Sequence, residues 1–225
     1  MNFFSNLATR SSNTSNSLLL LFVIFTIFII PFFPIAWHLI LYSISITIVF
    51  LLSAIALNDY QPKIFYATVL VILIEWLAET LSLSLLTQIS FLVNILFFDL
   101  IVLLFILQIA KAKTVTFRVI MESVTGYLML GLSFSILIGL VCFIDPTSFS
   151  FEHLTGEMNP SYSYFSNYTY YAFVTLTTLG YGDVVPLSPA ARSLSIFTSI
   201  TGQMYVAIII AALVSKYLGQ KSKDD

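Results

Sequence analysis

The residues best suited to chemistry in this 225-residue chain are a run of threonines and glycines in its C-terminal half. Residues 175–183 read TLTTLGYGD. Such a run can supply backbone carbonyl oxygens as ligands, because rings of these carbonyls can replace the water shell of a cation. Gly180 and Gly182 would let alternate residues take backbone angles that residues with a Cβ resist, so that successive carbonyls point the same way.

Three carboxylic acids form a second candidate group, because they lie inside strongly apolar stretches. Glu75 and Glu79 are one helical turn apart on one face, and Asp99 follows in the next apolar stretch. Carboxylates are costly in hydrocarbon, so we expect these to face protein or water, or to be protonated. Two interpretations stay open: neutral carboxyls that hydrogen-bond between helices, or a proton-sensitive site that biases the rest of the protein.

Composition places the chain in a bilayer. Hydrophobic residues make up 59% and charged residues 9% of it, against roughly 25% charged in a soluble domain. The net charge of -2, without a basic cluster, argues against a nucleic-acid partner. No nucleophile, metal-ligand cluster or phosphate-binding loop accompanies the acids, so we expect neither an enzyme nor a bound cofactor, with membrane lipids as surroundings.

The apolar segments predict an all-α membrane protein with six transmembrane helices. With six alternating spans, nearly all lysines and arginines fall on one side, which the positive-inside rule assigns to the cytoplasm. Both termini would then be cytoplasmic, in an integral, multi-pass protein of the plasma (inner) membrane. Arg192 is the exception. The predicted spans are 18–33, 35–57, 64–86, 90–110, 119–144 and 190–217.

The segment between spans five and six is too short to cross the membrane twice as helix and too apolar for an ordinary loop. A re-entrant helix followed by a non-helical return is the economical solution, and such backbone is tolerated at membrane depth where protein buries it or where it lines a watery cavity. Pro31 and Pro34 predict a tight turn between the first two spans. The predicted parts are a disordered tail over 1–17, a four-helix region over 18–113, a functional module over 114–217 and a short tail over 218–225.

On these residues the chain resembles the potassium channel superfamily. Residues 175–183 are similar to its selectivity filter, whose pattern is Thr-Val-Gly-Tyr-Gly, with Leu179 in place of valine. Residues 119–217 resemble the outer helix, pore helix, filter and inner helix of the family, so the module over 114–217 is expected to be a pore module. Residues 201–207 further resemble small bacterial six-helix members that lack a voltage sensor.

The resemblance implies a homotetramer that conducts K+ passively, because one filter strand per chain requires four chains. K+ is then the permeant ion, coordinated by carbonyls of Thr178, Leu179, Gly180 and Tyr181, with Gly182 completing the filter. The side chains of Leu179 and Tyr181 would face away from the ion and wedge the filter against the pore helix. Filter support and the outer mouth are assigned to Tyr170, Tyr171, Thr177 and Asp183, with the Tyr170 hydroxyl able to reach Asp183.

Gating is less determined. Gly202 lies where family members place a hinge glycine, but close helix packing explains it equally well. Span four carries no Arg or Lys between Ser90 and Ala110, so steep voltage gating is not expected. The alternatives are a potassium transporter subunit, or a proton-sensing membrane protein, enzyme or carrier that uses Glu75, Glu79 and Asp99.

Overall fold

The computed structural model describes residues 15–57, 61–81, 84–151 and 164–224. Within these residues the chain is almost entirely helical, with one pair of very short strands. The described elements are α1 (Ser15–Phe32), α2 (Ile35–Ala56), α3 (Gln61–Thr80), α4 (Ser84–Lys111), α5 (Phe117–Ile144), β1 (Phe149–Ser150), α6 (Tyr164–Leu176), β2 (Val185–Pro186) and α7 (Pro189–Asp224).

Five helices of the described residues are long and apolar enough to cross a membrane. They are α1, α2, α5, the Ile89–Lys111 part of α4 and the Pro189–Gln220 part of α7. A helical membrane protein is therefore confirmed. The predicted third span corresponds to α3, which has 20 residues, among them Lys63, Glu75 and Glu79; several of its side chains lie outside the described residues. The sixth crossing thus stays a prediction.

The turn between α1 and α2 is as tight as the two prolines predict. The last part of α1 widens into a π-helical turn over Phe25–Ile29 and then narrows to a 3₁₀ turn over Ile30–Phe32. Pro31 has no N–H to continue an α-helical ladder, and the turn closes with a hydrogen bond from Phe33 N to Ile30 O of 3.0 Å. α2 therefore begins only three residues after α1 ends.

The chain divides into two compact units, Met1–Thr26 with Ser43–Gly126, and Ile27–Tyr42 with Tyr127–Asp225. In the described part of the first unit, α3 packs along α4. Apolar side chains of several helices are fully buried there, and the ring of Phe50 meets that of Phe98 edge-on with centroids 5.6 Å apart. The fully buried side chains include Leu19, Val23, Val49, Ile101 and Phe105.

Small residues of α5 allow α6 to approach closely in the second unit. A Cβ added to Gly131 would lie 2.2 Å from the tip of the Phe173 ring, and one added to Gly139 would lie 3.1 Å from the Tyr168 ring. Ser135 lies between these glycines, one turn from each, and its hydroxyl bonds back to Gly131 O at 2.8 Å. A stripe of small residues lets helix backbones approach in a membrane, so this face of α5 receives the aromatic side chains of α6.

α7 starts at a fixed point after the return segment. Phe149 pairs with Pro186 and Ser150 with Val185 in the antiparallel strands β1 and β2. Ser188 then caps the helix, since its hydroxyl oxygen accepts from Ala191 N at 3.1 Å, and Pro189 occupies the first helical position, where its missing N–H costs nothing. The return segment of residues 177–184 is therefore held at both ends.

Candidate functional site

α6 is too short to cross a membrane as a helix. Its 13 residues extend about 20 Å at ~1.5 Å per residue, less than the ~30 Å of a hydrocarbon core. Ala172 and Leu176 on it are fully buried. The helix ends at Leu176, and the backbone then leaves the helical path within the run 175–183.

The backbone of the run is oriented by the last turn of α6. The N–H groups of Leu179 and Gly180 both donate to Val174 O, at 3.0 and 3.2 Å. In a trans peptide the N–H points opposite to the preceding C=O, and this chain has no cis peptide bond among its described residues. The carbonyl oxygens of Thr178 and Leu179 therefore both point away from α6, towards the open side of the unit.

Alternate residues of the run have left-handed backbone angles. Gly180 and Gly182 have φ values of 57° and 79°, as their residue type predicts. Thr178 has a φ of 59° and is the described non-glycine residue with a positive φ. Sequence reasoning missed it, although counting back in twos from Gly182 and Gly180 reaches this position. A β-branched residue at this angle is strained, so the alternation extends over three residues at a real cost.

The outer end of the run is tied to α6 through Asp183. The Tyr170 hydroxyl donates to Asp183 Oδ2 at 2.6 Å, and the backbone N–H of Val184 donates to Oδ1 at 3.1 Å. The hydrogen bond to Asp183 is the main reason that the Tyr170 pKa is raised from 10.0 to about 12. Tyr170 therefore remains a donor at any physiological pH and holds the carboxylate beside the outer end of the run.

Tyr171 ties the next position of α6 to α7. Its hydroxyl lies 2.6 Å from Ser195 Oγ, and the single Ser195 proton is already directed to Ala191 O at 2.7 Å, so Tyr171 is the donor. Its ring, which is buried, also meets that of Phe149 edge-on with centroids 5.1 Å apart. Tyr170 thus contacts the run 175–183, whereas Tyr171 contacts α7 and β1.

At the inner end of the run, α7 passes against the end of α6. A Cβ on Gly202 would lie 2.0 Å from Leu176 O and 2.9 Å from its carbonyl carbon, distances that no side chain can tolerate. The next residue, Gln203, reaches the run itself, where its Nε2 donates to Thr178 Oγ1 at 3.1 Å. Sequence reasoning assigned no role to Gln203, because a glutamine on an apolar helix has no motif of its own.

The threonine pair at the inner end is also hydrogen-bonded within the chain. Thr177 Oγ1 donates to Phe173 O at 2.7 Å, and Thr178 Oγ1 donates to Thr177 O at 2.7 Å. Each hydroxyl proton is thereby used inside the chain. The arrangement presents oxygen atoms along the open side of the run, which is the ligand type for an alkali cation and not for catalysis.

Comparison with known proteins agrees with this geometry. The sequence model of a family described as "Ion channel" matches residues 128–218, which include α6, the run 175–183 and α7. A relative from Oryza sativa subsp. japonica, "Two pore potassium channel c", is 43% identical over 49 residues, which are 22% of this chain and 11% of the relative. Over this part, the chain is thus similar to an ion channel family and to potassium channels.

Further relatives cover a longer part of the chain. "Potassium voltage-gated channel subfamily A member 10" from Mus musculus is 29% identical over 89 residues, 38% of this chain and 16% of the relative, and the Homo sapiens protein of the same name gives the same values. The chain thus spans less than a fifth of the length of these relatives. No solved structure matches it.

Glu75, Glu79 and Asp99 belong to the first compact unit, whereas the run 175–183 belongs to the second. Glu75 of α3 accepts a hydrogen bond from the Asn94 amide of α4, and Asp99 is not without a partner either. The side chain of Glu79 lies outside the described residues. Within the residues that are described, no three His, Cys, Asp or Glu side chains could together hold a metal ion.

Proposed function

We propose that this chain forms a potassium-selective channel that conducts K+ passively across the membrane as a homotetramer. The observation that carries the proposal is the backbone of residues 178–182, in which left-handed angles at Thr178, Gly180 and Gly182 alternate with ordinary ones. Together with the two N–H bonds to Val174 O, this alternation supports a row of carbonyl oxygens that face a shared axis.

In the proposed channel, K+ replaces its water shell with protein oxygens. The carbonyls of Thr178, Leu179, Gly180 and Tyr181 would supply successive rings, with the Thr178 hydroxyl at the inner end. Asp183 would add negative charge at the outer mouth. The C-terminal end of α6 bears the partial negative charge of its helix dipole and favours a cation at the filter entrance.

The proposed tetramer accounts for side chains that the single chain leaves uncovered. Leu179 is 55% exposed and Tyr181 is 67% exposed in the single chain. α7 also carries exposed apolar side chains, among them Phe197, Ile200 and Met204. A single filter strand encloses no ion, whereas four strands would enclose one. In that assembly, neighbouring copies would also bury these exposed side chains.

The proposed gating is not steeply voltage-dependent, since α4 has no Lys or Arg between Ser90 and Ala110. For Gly202, the short distances from an added Cβ to the Leu176 carbonyl favour the packing role over the hinge. We propose a plasma-membrane location with both termini cytoplasmic. If α3 crosses the membrane in addition to the other five helices, this orientation places the basic residues except Arg192 on one side.

The alternative functions gain no support. Both named relatives are channels and not transporter subunits, which goes against a transporter of the same chemistry. The hydrogen bond between Asn94 and Glu75 supports the interpretation that these carboxyls link helices, and a proton carrier would need further titratable groups along a path. A proton-sensing protein, an enzyme or a proton carrier would also leave the run 175–183 without a role.

Ion flux through the purified protein in liposomes tests the proposal. We expect K+ to pass while Na+ is excluded, and Gly180→Ala to abolish this selectivity. A Cβ at Gly180 meets nothing within 4 Å, so the expected loss comes from the left-handed backbone, which costs about 1–2 kcal/mol for a residue with a Cβ.

Gly219→Ala is the matched control, because Gly219 lies in α7 and also has open space around it, but has no positive φ. We expect it to conduct as the wild type does. Equal passage of K+ and Na+ through the wild-type protein would refute the proposed function.

A further inference from the structure

We propose that Gln203 is a positioning residue for the innermost cation site of the filter. Its amide holds the Thr178 hydroxyl so that an oxygen lone pair, and not a proton, faces the conduction path. The inference rests on the proposed function, because it assigns a further residue to the same pore. The contact that carries it is the 3.1 Å hydrogen bond from Gln203 Nε2 to Thr178 Oγ1, which joins α7 to the filter run.

The proton count at Thr178 determines what its hydroxyl can offer. A threonine hydroxyl has one proton and two lone pairs. The proton is directed to Thr177 O at 2.7 Å, so the contact with Gln203 must use a lone pair of Oγ1 and a proton of the amide. One lone pair is left, so the hydroxyl cannot donate into the conduction path but can coordinate a cation there.

An amide suits this position better than the other hydrogen-bonding side chains. A lysine would donate but would place a positive charge next to the cation, and a glutamate would accept and could not donate. Glutamine donates without net charge. It also selects one of the staggered side-chain conformations open to Thr178, whose backbone is already held at a φ of 59°.

The contact depends on the close approach of α7 to α6. Gly202 lets its backbone lie against Leu176 O, where a Cβ would be only 2.0 Å from that oxygen. The following residue is thereby brought within reach of the filter run. Gln203 and Thr178 are both exposed in the single chain, on the side that four copies would share around the pore.

A double-mutant cycle on the reconstituted full-length tetramer tests this assignment. The variants are Gln203→Met, Thr178→Ala and their combination, and the measurement is the K+ concentration that gives half-maximal flux. We expect Gln203→Met to raise this concentration roughly fivefold, the loss of about one hydrogen bond. In the Thr178→Ala background we expect Gln203→Met to have no further effect, since the residue acts through the hydroxyl.

The matched control is Gln108→Met, which removes a glutamine amide that donates to Ala56 O in α2 and should leave the half-saturating concentration unchanged. Gln203→Leu is measured in parallel, so that a failure of one variant to assemble does not end the test. An unchanged concentration in Gln203 variants of a selective channel would overturn this inference alone, and so would an undiminished effect in the Thr178→Ala background. A wild-type protein that passes K+ and Na+ alike would overturn the proposed function and this inference with it.

Discussion

Thr178 combines a strained backbone with a hydroxyl that makes two hydrogen bonds. Its backbone is left-handed, its hydroxyl donates to Thr177 O and its oxygen accepts from Gln203. Strain of this kind costs about 1–3 kcal/mol and persists only where the surroundings over-determine it. Here the N–H of Thr178, bonded to Thr175 O at 3.0 Å, supplies a further constraint, so three hydrogen bonds hold one strained residue.

Tyr170 carries a prediction at this scale. Because its hydrogen bond to Asp183 raises its pKa from 10.0 to about 12, the folded state holds the hydroxyl proton more tightly than the unfolded state does. The stabilisation is therefore fully present below pH 10 and is lost as the pH rises through about 12. We expect K+ selectivity of the wild type to be constant up to about pH 10 and to fall above it.

Tyr170→Phe separates this contact from general alkaline damage. The variant lacks the donor, so we expect its selectivity to be reduced already at pH 7 and to lose the decline between pH 10 and 12. The Na+ to K+ flux ratio measured across this range checks both points. A decline of the same size and midpoint in Tyr170→Phe would show that another group causes it.

At the scale of elements, α6 is held between α5 and α7 by two glycine contacts of different character. Gly131 of α5 faces the tip of the Phe173 ring, which can turn aside, whereas Gly202 of α7 faces the backbone carbonyl of Leu176, which cannot move without the helix. The position of α6 therefore depends more on Gly202. Neither contact follows from composition, because many glycines of membrane helices would look the same in sequence.

These contacts predict unequal effects for the same substitution. We expect Gly202→Ala to destabilise the folded protein by about 1–3 kcal/mol and to reduce K+ flux, and Gly131→Ala to cost clearly less. Thermal unfolding of the detergent-solubilised protein, read beside flux in liposomes, checks the order. If Gly202→Ala kept wild-type stability and changed only the opening and closing of single channels, the hinge role would be correct and the packing role wrong.

The elements themselves were largely predictable, for a physical reason. Segments of about 20 apolar residues must become helices in a bilayer, because hydrocarbon offers no partners for backbone N–H and C=O groups. The π-helical turn of α1 is an exception, because it depends on how Pro31 and its neighbours pack.

At the scale of the whole molecule, the single chain is incomplete as a pore. Its filter side chains Leu179 and Tyr181 are more than half exposed, and its carbonyls face an open side. In the proposed tetramer, neighbouring copies would bury this aromatic ring and this leucine. Large apolar side chains are also exposed along the length of α7, and the proposed assembly would cover some of them.

Assembly state is therefore a prediction at this scale. We expect the purified protein to have four times the 25.2 kDa mass of the chain, after correction for bound detergent, by light scattering coupled to size exclusion. Tyr181→Ser should lower the proportion of tetramer, because it removes a large exposed ring from the proposed contact, whereas Tyr66→Ser, which removes an equally exposed ring of α3, should not. A monomeric or dimeric wild type that still conducts would contradict the proposed assembly.

The sequence by itself determined the membrane class, the helices and the place of the filter-like run, since these follow from local properties: apolar length, glycine at positions of positive φ, and the scarcity of charge. Tertiary structure alone decided that Val174 O gathers two N–H groups, that Thr178 joins the glycines in the left-handed region, and that Gly202 brings Gln203 to the Thr178 hydroxyl. These features join residues that are five to 26 positions apart. A sequence pattern records what a residue can do, but the approach of two backbones decides which partner it meets.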